Sequence, residues 1–288
     1  MLHAIRTHSL RCVALVRDHR WGGAALISLY LSIVSGIVVA LHYEHSEAFY
    51  SLTTIELVVP YGAFWRSLHY YSSQLFFLLL LLHLVTVLWK KTVDMDRSAW
   101  IRLCLSLPST VLLLFTGYVL RGDATGEAAG MIAEHICLSI PQLGSAINAL
   151  LFDLAASGIR KVYVHHVIGL VVLGGITTWP HLRKYRAAWR NHLMLILITL
   201  LLSAALHAPI EASRFGLLFI AGPWFFLGLQ ELLRFLPTFV AGILIPLIPI
   251  VLLCSLPQQD KWRKLFFILL LLWLGAYAWF SWMCLQRI

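Results

Sequence analysis

Charge is scarce in this sequence. Only 12% of its 288 residues are Asp, Glu, Lys or Arg, and acids are the rarer part, 13 against 22 bases. With 60% hydrophobic residues, no stretch is polar enough to stand as a water-soluble module, so the composition implies an all-α polytopic membrane protein. Cysteine is sparse as well. Cys12, Cys104, Cys137, Cys254 and Cys284 form no C-x-x-C pair, which excludes a disulfide frame, an iron–sulfur motif and a C-x-x-C-H attachment site. The first twenty residues lack an apolar core, so no cleavable signal peptide is expected. The net charge of +9 does not point to nucleic acid, because the bases sit in short loops between apolar runs.

Those apolar runs predict about seven spans, at 21–43, 64–89, 103–120, 161–182, 191–207, 237–256 and 264–285. Residues 1–20, 44–63 and 121–160 are expected at the membrane surface. The stretch 214–236 is apolar enough to cross, but the positive-inside rule argues against it. With seven spans, fifteen of the 22 Lys and Arg share one side, including Lys261, Arg263 and Lys264. An eighth span would put that last cluster on the other face. The stretch is therefore expected as a surface or re-entrant segment, with the N-terminus in the cytoplasm.

The second run carries His69 and His83. Fourteen steps at about 100° leave the two rings within about 40° of each other, some 21 Å apart along the axis. Polar rings in a lipid-spanning helix are costly and functional as a rule. Two readings fit this run alone: haem ligation at two depths, or histidines bonding neighbouring helices. The fourth run shifts the balance. It holds His165, His166 and, after Pro180, His181. Both runs point inward, so His69 and His166 share the outer level and His83 and His181 the inner one. Two bis-histidine haem sites follow, with His165 as the alternative to His166. From His166 to His181 there are fifteen steps, about 60° of rotation on an ideal helix, which a kink at Pro180 could absorb. Gly22 and Gly36 are also fourteen apart, and Gly117 lies at the outer level; such glycines allow close approach of a flat macrocycle, or simple small-residue packing.

The motifs R-S-L-H with a second histidine after thirteen residues, T-G-Y-V-L at 116–120, I-P-Q-L-G at 140–144 and H-x14-H resemble cytochrome b of the quinol-oxidising bc and bf complexes. The fourteen-residue gap is closer to the split form of photosynthetic bf complexes and their Gram-positive relatives. G-P-W-F-F-L-G-L-Q-E-L-L-R at 222–234 is similar to the family segment that begins Pro-Glu-Trp-Tyr. The resemblance implies a haem-binding four-helix bundle in residues 1–185 and a three-span part in 186–288, fused in one chain. It implies two non-covalent haems b, haem-propionate partners at Arg66 and Lys161, and a quinone as substrate. Other subunits, a Rieske-like protein or a c-type cytochrome among them, are implied as partners together with lipid, in a bacterial-type inner membrane.

There are departures. Arg20 stands where the bf-type proteins carry the cysteine of an extra covalent haem, so that haem is not expected. Pro223 and Phe225 replace the glutamate and tyrosine of Pro-Glu-Trp-Tyr. The outer quinol site is therefore expected to be altered or absent, with an inner quinone site near His181, Arg183 and Lys184. His3, His8, His19, His42, His45, His135, His192 and His207 show no paired spacing and are expected at interfaces. Two alternatives remain at this stage: a haem anchor for a dehydrogenase, and a colourless transporter or scaffold whose histidines bind metal or protons.

Overall fold

The structure is a computed structural model that describes residues 20–89, 95–154, 158–211, 219–256 and 262–287. The basic arm before Arg20, the loop charges Lys90, Lys91 and Asp94, and Arg214 and Lys261 lie outside the described residues. All the regular elements among the described residues are helical. Five helices are long and apolar enough to cross a membrane: Trp21–Ala40, Gly62–Trp89, Arg97–Val119, Arg160–Leu182 and Arg263–Leu285. Two shorter apolar helices, Trp189–Ala205 and Val240–Ser255, stand at the places expected for the fifth and sixth spans. The third span begins at Arg97, ahead of the expected 103, and takes Arg97 and Arg102 into its first turns. Long basic side chains tolerate that place because their stems lie on apolar surface while the charge reaches water.

Between the third and fourth spans run the helices Ala124–Leu138 and Gly144–Leu151. Asp123 starts the first of them, accepting the Gly126 amide at 3.0 Å. In the stretch 214–236, the described part holds only the six-residue helix Leu227–Leu232. That is far short of the roughly 20 residues needed to cross the hydrocarbon, as the charge argument requires.

The chain forms two compact units. The first takes Val59–Met95 and His181–Ala208 with the chain up to Leu41; the second takes His42–Val58, Asp96–Pro180 and Pro209–Ile288. These packing units interleave along the chain and do not coincide with the consecutive parts 1–185 and 186–288 expected from sequence.

In the first unit, the first span meets the second through small residues. Ala24 and Ala25 pack on Leu79, and Ser28, Ser32, Ser35, Ser67 and Ser72 are buried. With no hydrophobic drive between helices in lipid, close backbone approach over small residues supplies the contact. Ser35 and Ser72 return their hydroxyl protons to the carbonyls one turn back, at 2.6 and 2.5 Å, and so bury no open donor.

In the second unit, Phe115, Val119, Ala129, Ala133, Phe152, Val162, Phe226 and Leu229 make the main core. The sixth span shows how prolines are accommodated. Pro249 has no N–H for the carbonyl of Ile245 four residues back, and Trp273 Nε1 of the seventh span donates to that carbonyl at 3.1 Å. Trp100 Nε1 of the third span likewise donates to the carbonyl of Leu253, at 2.7 Å. Both indole bonds tie neighbouring spans together. Burial, with the Glu134 carboxylate nearby, pushes the pKa of Cys137, on the surface helix, above its ordinary value.

Candidate functional site

Each histidine singled out by spacing, apart from His181, lies against one of the expected glycines. A Cβ at Gly36 would fall 2.8 Å from His69 Cε1, one at Gly22 would fall 3.0 Å from His83 Cε1, and one at Gly117 would fall 3.2 Å from His166 Cε1. The glycines therefore make room for the imidazole itself. At Gly36 the consequence is direct: without a Cβ in the way, the His69 ring reaches over the helix turn, and its Nδ1 sits 2.8 Å from the carbonyl of Ser32. A carbonyl only accepts, so Nδ1 carries the proton and the lone pair is on Nε2.

His166 reaches the same state by another route. Its Nδ1 lies 2.9 Å from Thr116 Oγ1. Thr116 gives its one hydroxyl proton to the carbonyl of Leu112, at 2.7 Å, so toward the histidine it accepts. Again Nδ1 is protonated and Nε2 holds the lone pair. Such partners fix tautomer and ring orientation in imidazoles that ligate metals. His165 differs. Its Nε2 lies 2.9 Å from the carbonyl of Leu150, to which it donates, and its ring sits against Gly169. Of the two neighbours, His166 is the one whose tautomer suits ligation through Nε2.

The fourth span also answers the extra residue. Residues His165–Gly169 form a π turn inside the helix Arg160–Leu182. A π turn accommodates one residue more than the α-helical path. The fifteen steps from His166 to His181 then carry the phase of fourteen, about 40° from alignment, the same as between His69 and His83. The proline kink expected from sequence is not what restores the register.

In the first unit, His83 and His181 face each other with ring centroids 6.3 Å apart and planes at 47°. An iron between two imidazoles, with metal–nitrogen bonds of about 2 Å and about 1.1 Å from nitrogen to ring centre, sets the centroids about 6 Å apart. The pair fits a haem held from both faces. Tyr185 lies against the outer side of His181, 4.8 Å between ring centroids.

The expected propionate partners are already engaged. Arg66 is buried and donates through Nη2 to the carbonyl of Ala208. Lys161 Nζ donates to the carbonyl of Ala149 at 2.7 Å and to Asp153 at 2.6 Å, leaving one of its three N–H groups. Arg183 and Lys184 are exposed. One expectation is corrected: His192 is buried, with Nε2 2.8 Å from where Gly23 would carry a Cβ. The adjacent glycines Gly22 and Gly23 serve two different rings, and only the fourteen-residue repeat was visible in the sequence. Thr116 and Ser32 escaped the sequence reading too. The threonine could have been suspected from its place beside Gly117; a carbonyl leaves no trace in side-chain type.

The segment 222–226 packs on the third span through aromatics. Phe226 lies 5.2 Å from Phe115 and Phe225 lies 5.8 Å from Tyr118, measured between ring centroids. The carboxylates around it are paired. Asp123 is buried, binds Arg121, caps Gly126 and accepts the amide of Glu211 at 3.0 Å. Glu211 accepts from Thr125 and lies 3.6 Å from Arg121. Glu231, fully buried, is bound by Arg287 at 2.9 Å. Among the described residues no three His, Cys, Asp or Glu side chains converge on a metal-ion site.

Comparison with known proteins shows the family and the fold. The family model described as Cytochrome b/b6/petB matches residues 8–206. Cytochrome b6 of Heliobacterium mobile is 28% identical over 180 residues, covering 60% of this chain and 82% of that protein. Cytochrome b6 of Heliomicrobium gestii is 27% identical over 185 residues, covering 62% and 84%. In fold, the chain is similar to a solved chain of a hyperthermophilic respiratory Complex III, with a TM-score of 0.68 at 19% identity over 92% of this chain and 82% of that one.

Proposed function

The chain belongs to the cytochrome b/b6 family, and on that premise we propose that it carries electrons across the membrane between two non-covalent haems b. It is an integral membrane, haem-b-binding subunit of a quinol-linked electron-transfer complex. His69 with His166 would hold the outer haem and His83 with His181 the inner one. The observation that carries this reading is the facing pair His83 and His181, 6.3 Å apart, on residues chosen beforehand by spacing. The haems, when bound, supply the one-electron chemistry. The protein's share is to hold each Nε2 toward iron, fix the tautomers through Ser32 and Thr116, and clear space at Gly22, Gly36 and Gly117. By the family resemblance, Arg66 and Lys161 would be the partners of the propionates. By this reading residues 1–185 carry both haems and 186–288 complete the subunit.

Quinone chemistry belongs with the inner level, where His181, Arg183 and Lys184 join imidazole and cation at the membrane edge. Soluble electron carriers of Rieske or c type are the partners that fit the outer haem. A pyridine haemochrome assay on the purified complex should find two b haems per chain, neither covalent; an absence of haem, or only covalent haem, defeats the proposal.

The N-terminus and the loop Arg183–Arg190 face the cytoplasm in this reading, because that arrangement gathers the bases on one side. A Tyr185→Cys variant should resist an impermeant thiol reagent added outside intact cells. Efficient labelling would invert the topology and exchange the outer and inner haems.

A further inference from the structure

A cavity of about 300 Å³ opens at the start of the fourth span, lined by Arg160, Lys161, Val164 and His165. Its walls are largely the hydrocarbon of these side chains, and two of the four carry a fixed positive charge. The cations are held differently. Lys161 is pinned by Ala149 and Asp153, whereas Arg160 has no hydrogen-bond or ion-pair partner among the described residues. His165 is fixed as a wall by its bond to the carbonyl of Leu150. Below the cavity runs an apolar stripe at helical spacing: Val164, Ile168 and Val172 are 45%, 58% and 52% exposed. From Val164 to Val172 the stripe is about 12 Å long. It lies on a different face from His166, since successive residues leave a helix about 100° apart.

We propose that this end of the fourth span seats an anionic phospholipid, its phosphate on Arg160 and one acyl chain along Val164, Ile168 and Val172. Charge complementarity and the stripe together select the occupant. A free phosphate would use the cations and leave the stripe bare. A zwitterionic lipid would bring its own ammonium toward Arg160. Simple snorkelling would leave both cations loose in the headgroup region; instead Lys161 is anchored by Ala149 and Asp153 at the cavity wall. The seat uses no haem-ligating histidine, and Lys161, paired with Asp153, only walls it.

The test uses the full complex in nanodiscs, with phosphatidylglycerol or phosphatidylcholine carrying a photoreactive group in one acyl chain. The phosphatidylglycerol probe should form adducts within residues 160–176, and unlabelled phosphatidylglycerol should compete. Arg160→Gln should lower adduct yield about fivefold, the loss expected for one interfacial cation, with the haem spectrum unchanged. Equal labelling by the phosphatidylcholine probe, or yields indifferent to Arg160→Gln, overturns the proposal. So does full competition by inorganic phosphate, which would reassign the cations to a soluble anion. If Arg160→Gln yields no holoprotein, Ile168→Trp is measured instead: it fills the stripe and should cut labelling to a comparable degree, and unchanged yield overturns the proposal as well.

Discussion

A His83→Ala variant is expected to lose one of two haems and keep the other, halving the haem content per chain. Its ring faces His181 at the distance a shared metal requires, and Gly22 leaves the space that keeps it there. Removing the ring would take away one of the two imidazoles proposed to hold that haem and open the pocket to water. His69 and His166 keep their own tautomer-fixing partners, Ser32 and Thr116, and those bonds involve neither His83 nor Gly22. The outer-level spectrum should therefore survive. Loss of both haems would show that the two sites do not form independently. Retention of both would remove His83 from the ligand set. The companion variant His166→Ala separates the neighbours on the fourth span: it should lose the other haem, and a variant that keeps both would transfer ligation to His165.

The histidine register was open to sequence reading because a helix converts spacing into direction, and a polar ring in lipid has few other uses. The same logic picked out Gly22, Gly36 and Gly117, though for the passage of a macrocycle, while the structure shows each backing onto an imidazole edge. What stayed hidden depends on backbone geometry. The fifteen-step spacing in the fourth span looked like a proline effect; it is met by a π turn at His165–Gly169, and nothing in side-chain pattern distinguishes that turn from α-helix. His192 carries no paired spacing, so its burial against Gly23 follows only from how the short turn Trp189–His192 packs on the first span. Span ends at charged residues were also blurred. Arg97 and Arg102 read as loop by charge but sit in helix, because their stems can lie along apolar surface.

The largest functional departure is expected at the outer quinol site. Oxidising a quinol to a quinone releases two electrons and two protons, and the protons need an acceptor near the ring oxygens. Pro223 stands where the family places a glutamate, and it has no group that can accept a proton. The nearby carboxylates do not stand free to replace it. Asp123 is buried in its pair with Arg121 and in the cap of the next helix, and Glu231 is buried beneath Arg287. Glu211, though partly exposed, is engaged by Thr125 and lies beside Arg121. Phe225 and Phe226 meanwhile pack on Tyr118 and Phe115, filling with aromatic rings the space between this segment and the third span. Loss of a positioned base costs about 10²–10⁴-fold in rate. Quinol oxidation by the purified complex should thus be insensitive to inhibitors of the outer bc-type site and sensitive to those directed at the inner face, where His181, Arg183 and Lys184 lie. The bifurcated split of electrons should be missing with it. Stoichiometric inhibition by an outer-site compound, with transient haem reduction through that site, would show that Glu211 or another group restores the base and would sink this expectation.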